Sequence, residues 1–202
     1  MLPLPRCLPA WALAAALLGA GWWPARAAEP PTTQAGVRFE PRLQLGGQAL
    51  QLNGSGLRAV LFLKGYAAAL YLPQRAATAD AVLAQPGPKR LQMRLLLDVP
   101  AAEFSKALHV GIARNLPAEQ QGALTERVAR FDALLQALGT VKKGDAVNLD
   151  YLPGQGLQFW LNGRLQGAAI PGDDFYGALL RVFIGAHVSD DKLRAGLLGQ
   201  SA

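Results

Sequence analysis

Apolar positions along this chain recur with two periods, about two and about 3.6, in the order strands, helices, strands, helices. Short alternating pieces cover 37–40, 43–45 and 48–53, and Gly46-Gly47 between the last two predicts a hairpin turn. Two longer apolar runs follow, 57–64 and 66–72, predicted as strands joined near Gly65, with Gly54-Ser-Gly56 as a tight turn ahead of them. Thr78 predicts the cap of a short helix over 79–85, which Gln85-Pro-Gly-Pro88 stops. From Lys89 to Asp98 the apolar residues Leu91, Met93, Leu95 and Leu97 alternate, the pattern of a half-buried strand.

Two helices come next. Pro100 opens the first, with Phe104, Leu108 and Ile112 on one face; Pro117 opens the second, with Leu124, Val128, Phe131, Leu135 and Leu138 on one face and Gly139 at its end. Three strands follow: one through Val147, Leu149 and Tyr151, one through Leu157, Phe159 and Leu161, and a third over 164–169 entered by an Asn162-Gly163 turn. Pro171-Gly172-Asp173 starts a helix carrying Phe175, Leu179, Leu180 and Phe183, which Gly185 ends; Ser189 is the predicted cap of a last helix with Asp190 and Asp191 in its first turn. This order predicts an α+β fold, one large, mainly antiparallel sheet with helices layered on a face.

The N-terminus reads differently. Residues 1–27 have one charge, Arg6, ahead of an apolar stretch from Leu8 to Trp23 and an Ala25-Arg26-Ala27 cleavage site, the anatomy of a secretory signal peptide. The stretch is short against the ~20 residues of a stable membrane span. Cleavage would remove Cys7, the only cysteine, and with it any disulfide or thiolate metal site. A periplasmic location is the expectation, for one domain over 37–199 behind a flexible lead-in at 28–36. The net charge of +6 is scattered, with Lys89-Arg90 and Lys142-Lys143 the only basic doublets and no longer basic run, which argues against nucleic acid as a partner.

Candidate chemistry narrows quickly. Gly54-Ser-Gly56-Leu-Arg58-Ala59 fits a dinucleotide fingerprint, but strand rather than helix is predicted after it, so no nucleotide cofactor is expected. His109 and His187, the only histidines, have no ligand neighbours at a metal-binding spacing, so no metal is expected either. The pairs Asp173-Asp174 and Asp190-Asp191 sit at helix starts, where capping accounts for them. No motif sets a Ser, a His and an acid together. Arg58 stands out, a guanidinium in a buried apolar run. It requires an anionic or hydrogen-bonding partner, which is either an internal carboxylate or a ligand. Its planar fork suits a carboxylate or phenolate. Tyr66 and Tyr71 are separated by an odd number of residues and point to opposite faces, so at most one shares a pocket with Arg58.

These segments together, Gly54-Ser-Gly56-Leu-Arg58, Lys64-Gly-Tyr66 to Leu72, Asp98 to Leu116, Lys143-Gly-Asp145 to Gly156, Asn162-Gly163, Pro171-Gly-Asp-Asp-Phe175, Leu179 to Gly185 and Lys192-Leu193 to Leu198-Gly199, resemble the chalcone isomerase superfamily over about residues 37–199. The similarity is to its exported bacterial chalcone-isomerase-like group. The resemblance implies an open-faced β-sandwich. It also implies a site in which an Arg, a Thr, a Tyr, an Asn and a Ser or Thr surround a flavonoid-like ligand. Carried over residue by residue, the Arg is Arg58, the Thr is Tyr66, the Tyr is Phe104, the Asn is Gly111 and the late Ser or Thr is Val182. The cation is kept while most neutral hydrogen-bonding groups are not. Each oxyanion-type donor lost costs about 10²–10³ in rate. The superfamily also holds non-catalytic fatty-acid-binding members. The resemblance therefore implies a binder of a small apolar or fatty acid held by Arg58. The alternatives are an isomerase (intramolecular lyase) of altered substrate, with Arg58 catalytic, and a structural or partner-binding module.

Overall fold

A computed structural model of the chain describes residues 29–60 and 63–200; the signal-peptide reading of 1–27 lies outside the described residues. In chain order the strands are β1 (Thr32–Gln34), β2 (Val37–Phe39), β3 (Arg42–Leu45), β4 (Gln48–Val60), β5 (Leu63–Leu72), β6 (Lys89–Leu95), β7 (Val99–Pro100), β8 (Thr140–Val141), β9 (Ala146–Leu152), β10 (Gly156–Leu161) and β11 (Arg164–Leu165). The helices are α1 (Ala79–Ala84), α2 (Ala101–Asn115), α3 (Ala118–Leu138), α4 (Asp173–Ile184) and α5 (Asp191–Leu197). Seven strands form one sheet in the order β11-β10-β9-β6-β5-β4-β3, every pairing antiparallel. The fold is α+β, as the alternation of periods predicts.

The sheet divides the apolar residues between two faces. On one, Leu70 and Leu72 of β5, Leu91 and Leu95 of β6 and Leu157 of β10 pack under the buried stripes of α2, α3 and α4 in a single large cluster. On the other, Leu50, Leu52, Ala67, Ala69 and Tyr71 form a smaller cluster with Phe39. Part of the expected lead-in thus has a structural role: Thr32–Gln34 pair with Val37–Phe39 through a turn at Ala35 and Gly36, and β2 contributes Phe39 to this cluster. Further along the same face, Asp150 is 1 % exposed and takes both oxygens' worth of hydrogen bonds from Arg90, Nε to Oδ1 and Nη2 to Oδ2, each 2.6 Å. That fork lets a carboxylate persist where no water reaches it.

The segment containing Arg58 differs from expectation. Gly54 and Gly56 make no turn: β4 is one strand from Gln48 to Val60, and Gly65 lies inside β5. The glycines are there because α5 crosses β4 backbone against backbone. A β-carbon at Gly54 would overlap the Gly196 carbonyl oxygen and lie 2.6 Å from the Gly199 nitrogen; one at Gly56 would lie 3.0 Å from Leu193. Asn53 fastens the crossing, donating to Leu197 O (2.7 Å) and Ala76 O (3.0 Å) and accepting from Ala76 N (2.7 Å).

A register shift between Leu52 and Gly54 inserts Asn53 as an extra residue in β4. Its consequence reaches the site. Before the bulge, Leu50 and Leu52 face the smaller cluster; after it, the same parity, Gly54, Gly56 and Arg58, faces the helices. Without the extra residue Arg58 would project from the opposite side of the sheet.

Three boundaries shift. The strand at 89–98 ends at Leu95, after which Leu96 N bonds to Gly65 O. The strand at 164–169 is only Arg164–Leu165, because Gly167 turns the chain at φ 66° before Ile170 returns to bond Leu157. The cap of α5 is Asp190 rather than Ser189, since it is the Asp190 carboxylate that reaches the Leu193 N–H (2.9 Å).

All four tyrosines of the chain titrate high. Burial pushes Tyr66, Tyr71 and Tyr151 up to about 12 and Tyr176 well above the usual 10.0. A phenol whose folded pKa is raised favours the fold fully below pH 10, and that contribution is lost as pH climbs toward 12. Native protein is therefore expected to show no tyrosinate absorbance at pH 10, with ionisation arriving together with unfolding at higher pH. A native-state tyrosine ionising near 10 would contradict this.

Candidate functional site

Arg58 and Tyr66 are cross-strand partners on β4 and β5, on the helix-covered face. They line a partly open cavity of about 100 Å³ between the sheet and α2, α3 and α4. Phe104 and Leu108 of α2, Phe131 and Leu135 of α3, Val182 of α4 and Phe159 of β10 supply most of its apolar lining. That is well above the ~10–15 Å³ a cavity needs to admit a single water. Tyr66 packs on Phe104 with ring centroids 6.4 Å apart. Tyr71 lies in the cluster on the opposite face, as the odd spacing requires.

Arg58 is held rather than loose. Its Nη1 donates to the Ser189 carbonyl (3.0 Å) and to Asp190 Oδ2 (3.1 Å), with a quarter of the side chain exposed. Asp190 caps α5 with its other oxygen, so helix start and guanidinium are fixed together. A guanidinium carries five N–H donors, and among the described residues Nε and Nη2 have no protein acceptor. The Tyr66 hydroxyl likewise has no hydrogen-bond partner among the described residues. Burial raises its pKa to about 12, against the pull of Arg58, so it stays a neutral phenol able to donate. Arg58 and Asp190 are the charged residues of this cavity.

Of the five positions carried over by resemblance, Arg58, Tyr66, Phe104 and Val182 line this cavity. Gly111 does not. A β-carbon there would lie 2.7 Å from Val182 Cγ2, so Gly111 is the point where α2 closes on α4. It shapes the wall from behind Val182. Asp190 and Ser189 are the site residues that sequence reasoning missed. In sequence Asp190 reads as an acid in the first turn of the last helix, and nothing local places it beside a residue 132 positions away.

Two other constellations are weaker. Ser105 and His109 of α2 and Asp132 of α3 come together although no motif joins them: Ser105 Oγ donates to Asp132 Oδ1, and His109 Nε2 meets Asp132 Oδ2 at 2.7 Å. Both groups fork onto the carboxylate and the serine does not bond the histidine, so the cluster clamps two helices and is not a nucleophile–base pair. A larger cavity of about 300 Å³ lies by Lys89, Tyr151 and Asp173. There the polar groups serve each other: Tyr151 donates to Asp173 (2.5 Å), and Lys89 Nζ bonds the Gln85 carbonyl (2.5 Å) and covers the Tyr151 ring at 5.3 Å. No cluster of metal-ligating residues occurs among the described residues.

A model of the chalcone isomerase-like family matches residues 31–199. The chain belongs to that family. No curated protein gives a significant match by sequence. Among solved structures, a fatty-acid binding protein of Arabidopsis thaliana is similar, with TM-score 0.63 and 14% identity, covering 83% of this chain and 95% of that one. At that identity the likeness shows the fold. The chalcone isomerase-like sheet here carries Arg58 on its helix-covered face, with the apolar Phe104 and Val182 on the cavity wall.

Proposed function

We propose that this chalcone isomerase-like protein is a non-catalytic, periplasmic binder of a small apolar acid such as a fatty acid. One observation carries the reading. A single guanidinium with unpartnered donors looks onto a cavity whose remaining walls are almost wholly apolar. A carboxylate answers the donors, and the buried tail contributes about 0.8 kcal/mol per CH₂. The fatty-acid binding of the structurally similar plant protein supports the same class of ligand.

Ring closure of a hydroxychalcone has less support. Phe104 and Val182 offer no donor to a ketone, and among the described residues lining the cavity the Tyr66 phenol and the Ser189 hydroxyl are the neutral hydroxyl groups. The periplasmic part of the proposal rests on the leader pattern of residues 1–27. Secreted protein should begin at Ala28 by intact mass, and an uncleaved mass would refute it.

Calorimetric titration of delipidated protein with octanoate tests the binder. Saturable one-to-one binding is expected, and mild purification should bring an acid along in native mass spectrometry. Heat no different from that of titration into buffer would overturn the reading.

A further inference from the structure

The cavity's head-group end is not a simple cation. Arg58 and Asp190 sit there together, paired at 3.1 Å, so the fixed charges of the site cancel. A plain carboxylate docking on the remaining Arg58 donors adds a negative charge beside the Asp190 carboxylate, which weakens it. Asp190 also has acceptor capacity left. Each carboxylate oxygen accepts about two hydrogen bonds, and among the described residues Oδ1 takes only Leu193 N and Oδ2 only Arg58 Nη1. The Ser189 carbonyl adds a second acceptor on the same rim.

We infer that Asp190 is the specificity-determining residue of this site, and that the preferred ligand is an apolar acid bearing a hydroxyl one or two carbons from its carboxylate. The carboxylate takes the Arg58 Nε and Nη2 donors and the Tyr66 hydroxyl, while the ligand hydroxyl donates to Asp190. Donor then meets acceptor at every polar group, and the like-charge penalty of the plain acid is offset by a hydrogen bond to a charged acceptor. The inference rests on the binder reading of the Arg58 cavity.

Octanoate and 3-hydroxyoctanoate distinguish the two levels, titrated into wild type and Asp190→Asn by calorimetry. Asparagine keeps the cap of α5, because its side-chain oxygen still accepts from Leu193 N. Wild type is expected to bind the hydroxy acid about tenfold more tightly, the scale of one hydrogen bond to a charged group. In Asp190→Asn that ratio should fall to near one, with octanoate binding more tightly than it does to wild type. Equal affinities in wild type, or a ratio unmoved by Asp190→Asn, would overturn the inference while leaving the binder reading in place. Binding of neither acid to wild type would remove both. A melting temperature matching that of wild type confirms that Asp190→Asn is folded.

Discussion

Arg58→Ala should weaken octanoate binding by about 10²-fold and leave the fold nearly as stable as before. A forked, charge-assisted contact contributes about 1.5–3 kcal/mol per hydrogen bond, and the apolar cavity alone cannot orient a carboxylate. Stability should change little for two reasons. Arg58 is partly exposed, and Asp190 keeps its bond to Leu193 N after the guanidinium is gone. Arg58→Lys is expected to fall between, since an ammonium keeps the charge and loses the fork. Calorimetry reads the affinity and thermal unfolding reads the fold. Affinity within about twofold of wild type in Arg58→Ala would remove Arg58 from the site, whatever the cavity binds.

The second large effect lies where no ligand is touched. Gly54→Val is expected to destabilise the protein by about 3 kcal/mol or more, beyond most small-to-large changes. The atoms in the way are the Gly196 carbonyl and the Gly199 nitrogen, which are backbone and cannot rotate aside. Either β4 or α5 must move. In a domain of this size the cost corresponds to a fall in Tm of roughly 6–12 °C. Binding should suffer as well, because α5 carries Leu193 on the cavity wall and Asp190 at its cap. Gly122→Ala is the control: it lies in α3 with open space around its β-carbon, and should be neutral to stabilising by up to about 1 kcal/mol. A Gly54→Val protein melting with wild type would show that the crossing is looser than the structure has it.

These two residues also mark how far local pattern carries. Arg58 is legible as an oddity because a charge in a buried apolar run has few physical explanations, and Tyr66 follows because parity puts it on one face and Tyr71 on the other. Gly54 and Gly56 are legible only as glycines. In sequence a turn and a close helix crossing look alike, since both need the same missing side chain. The bulge at Asn53 has no sequence signature that separates it from the strand residues around it, yet it decides which face receives Arg58. Gly111 shows the same limit. Carried over to a ligand-contacting position, it proves to be a packing contact with Val182, because a position can hold its place in a family while its side chain is too small to reach the cavity.

The sequence by itself determined the periods, hence the elements, the α+β order and the apolar stripes that bury them, because each of these depends on residues within a few positions of one another. It also determined that a single strand-borne guanidinium needs a partner. Only the tertiary structure decided who that partner is, Asp190 and the Ser189 carbonyl at the far end of the chain, and that donors remain beside an apolar cavity once they are satisfied. Those facts depend on α5 lying across β4 at backbone contact, and a long-range approach of that kind is set by the packing of the whole sheet rather than by any segment of it.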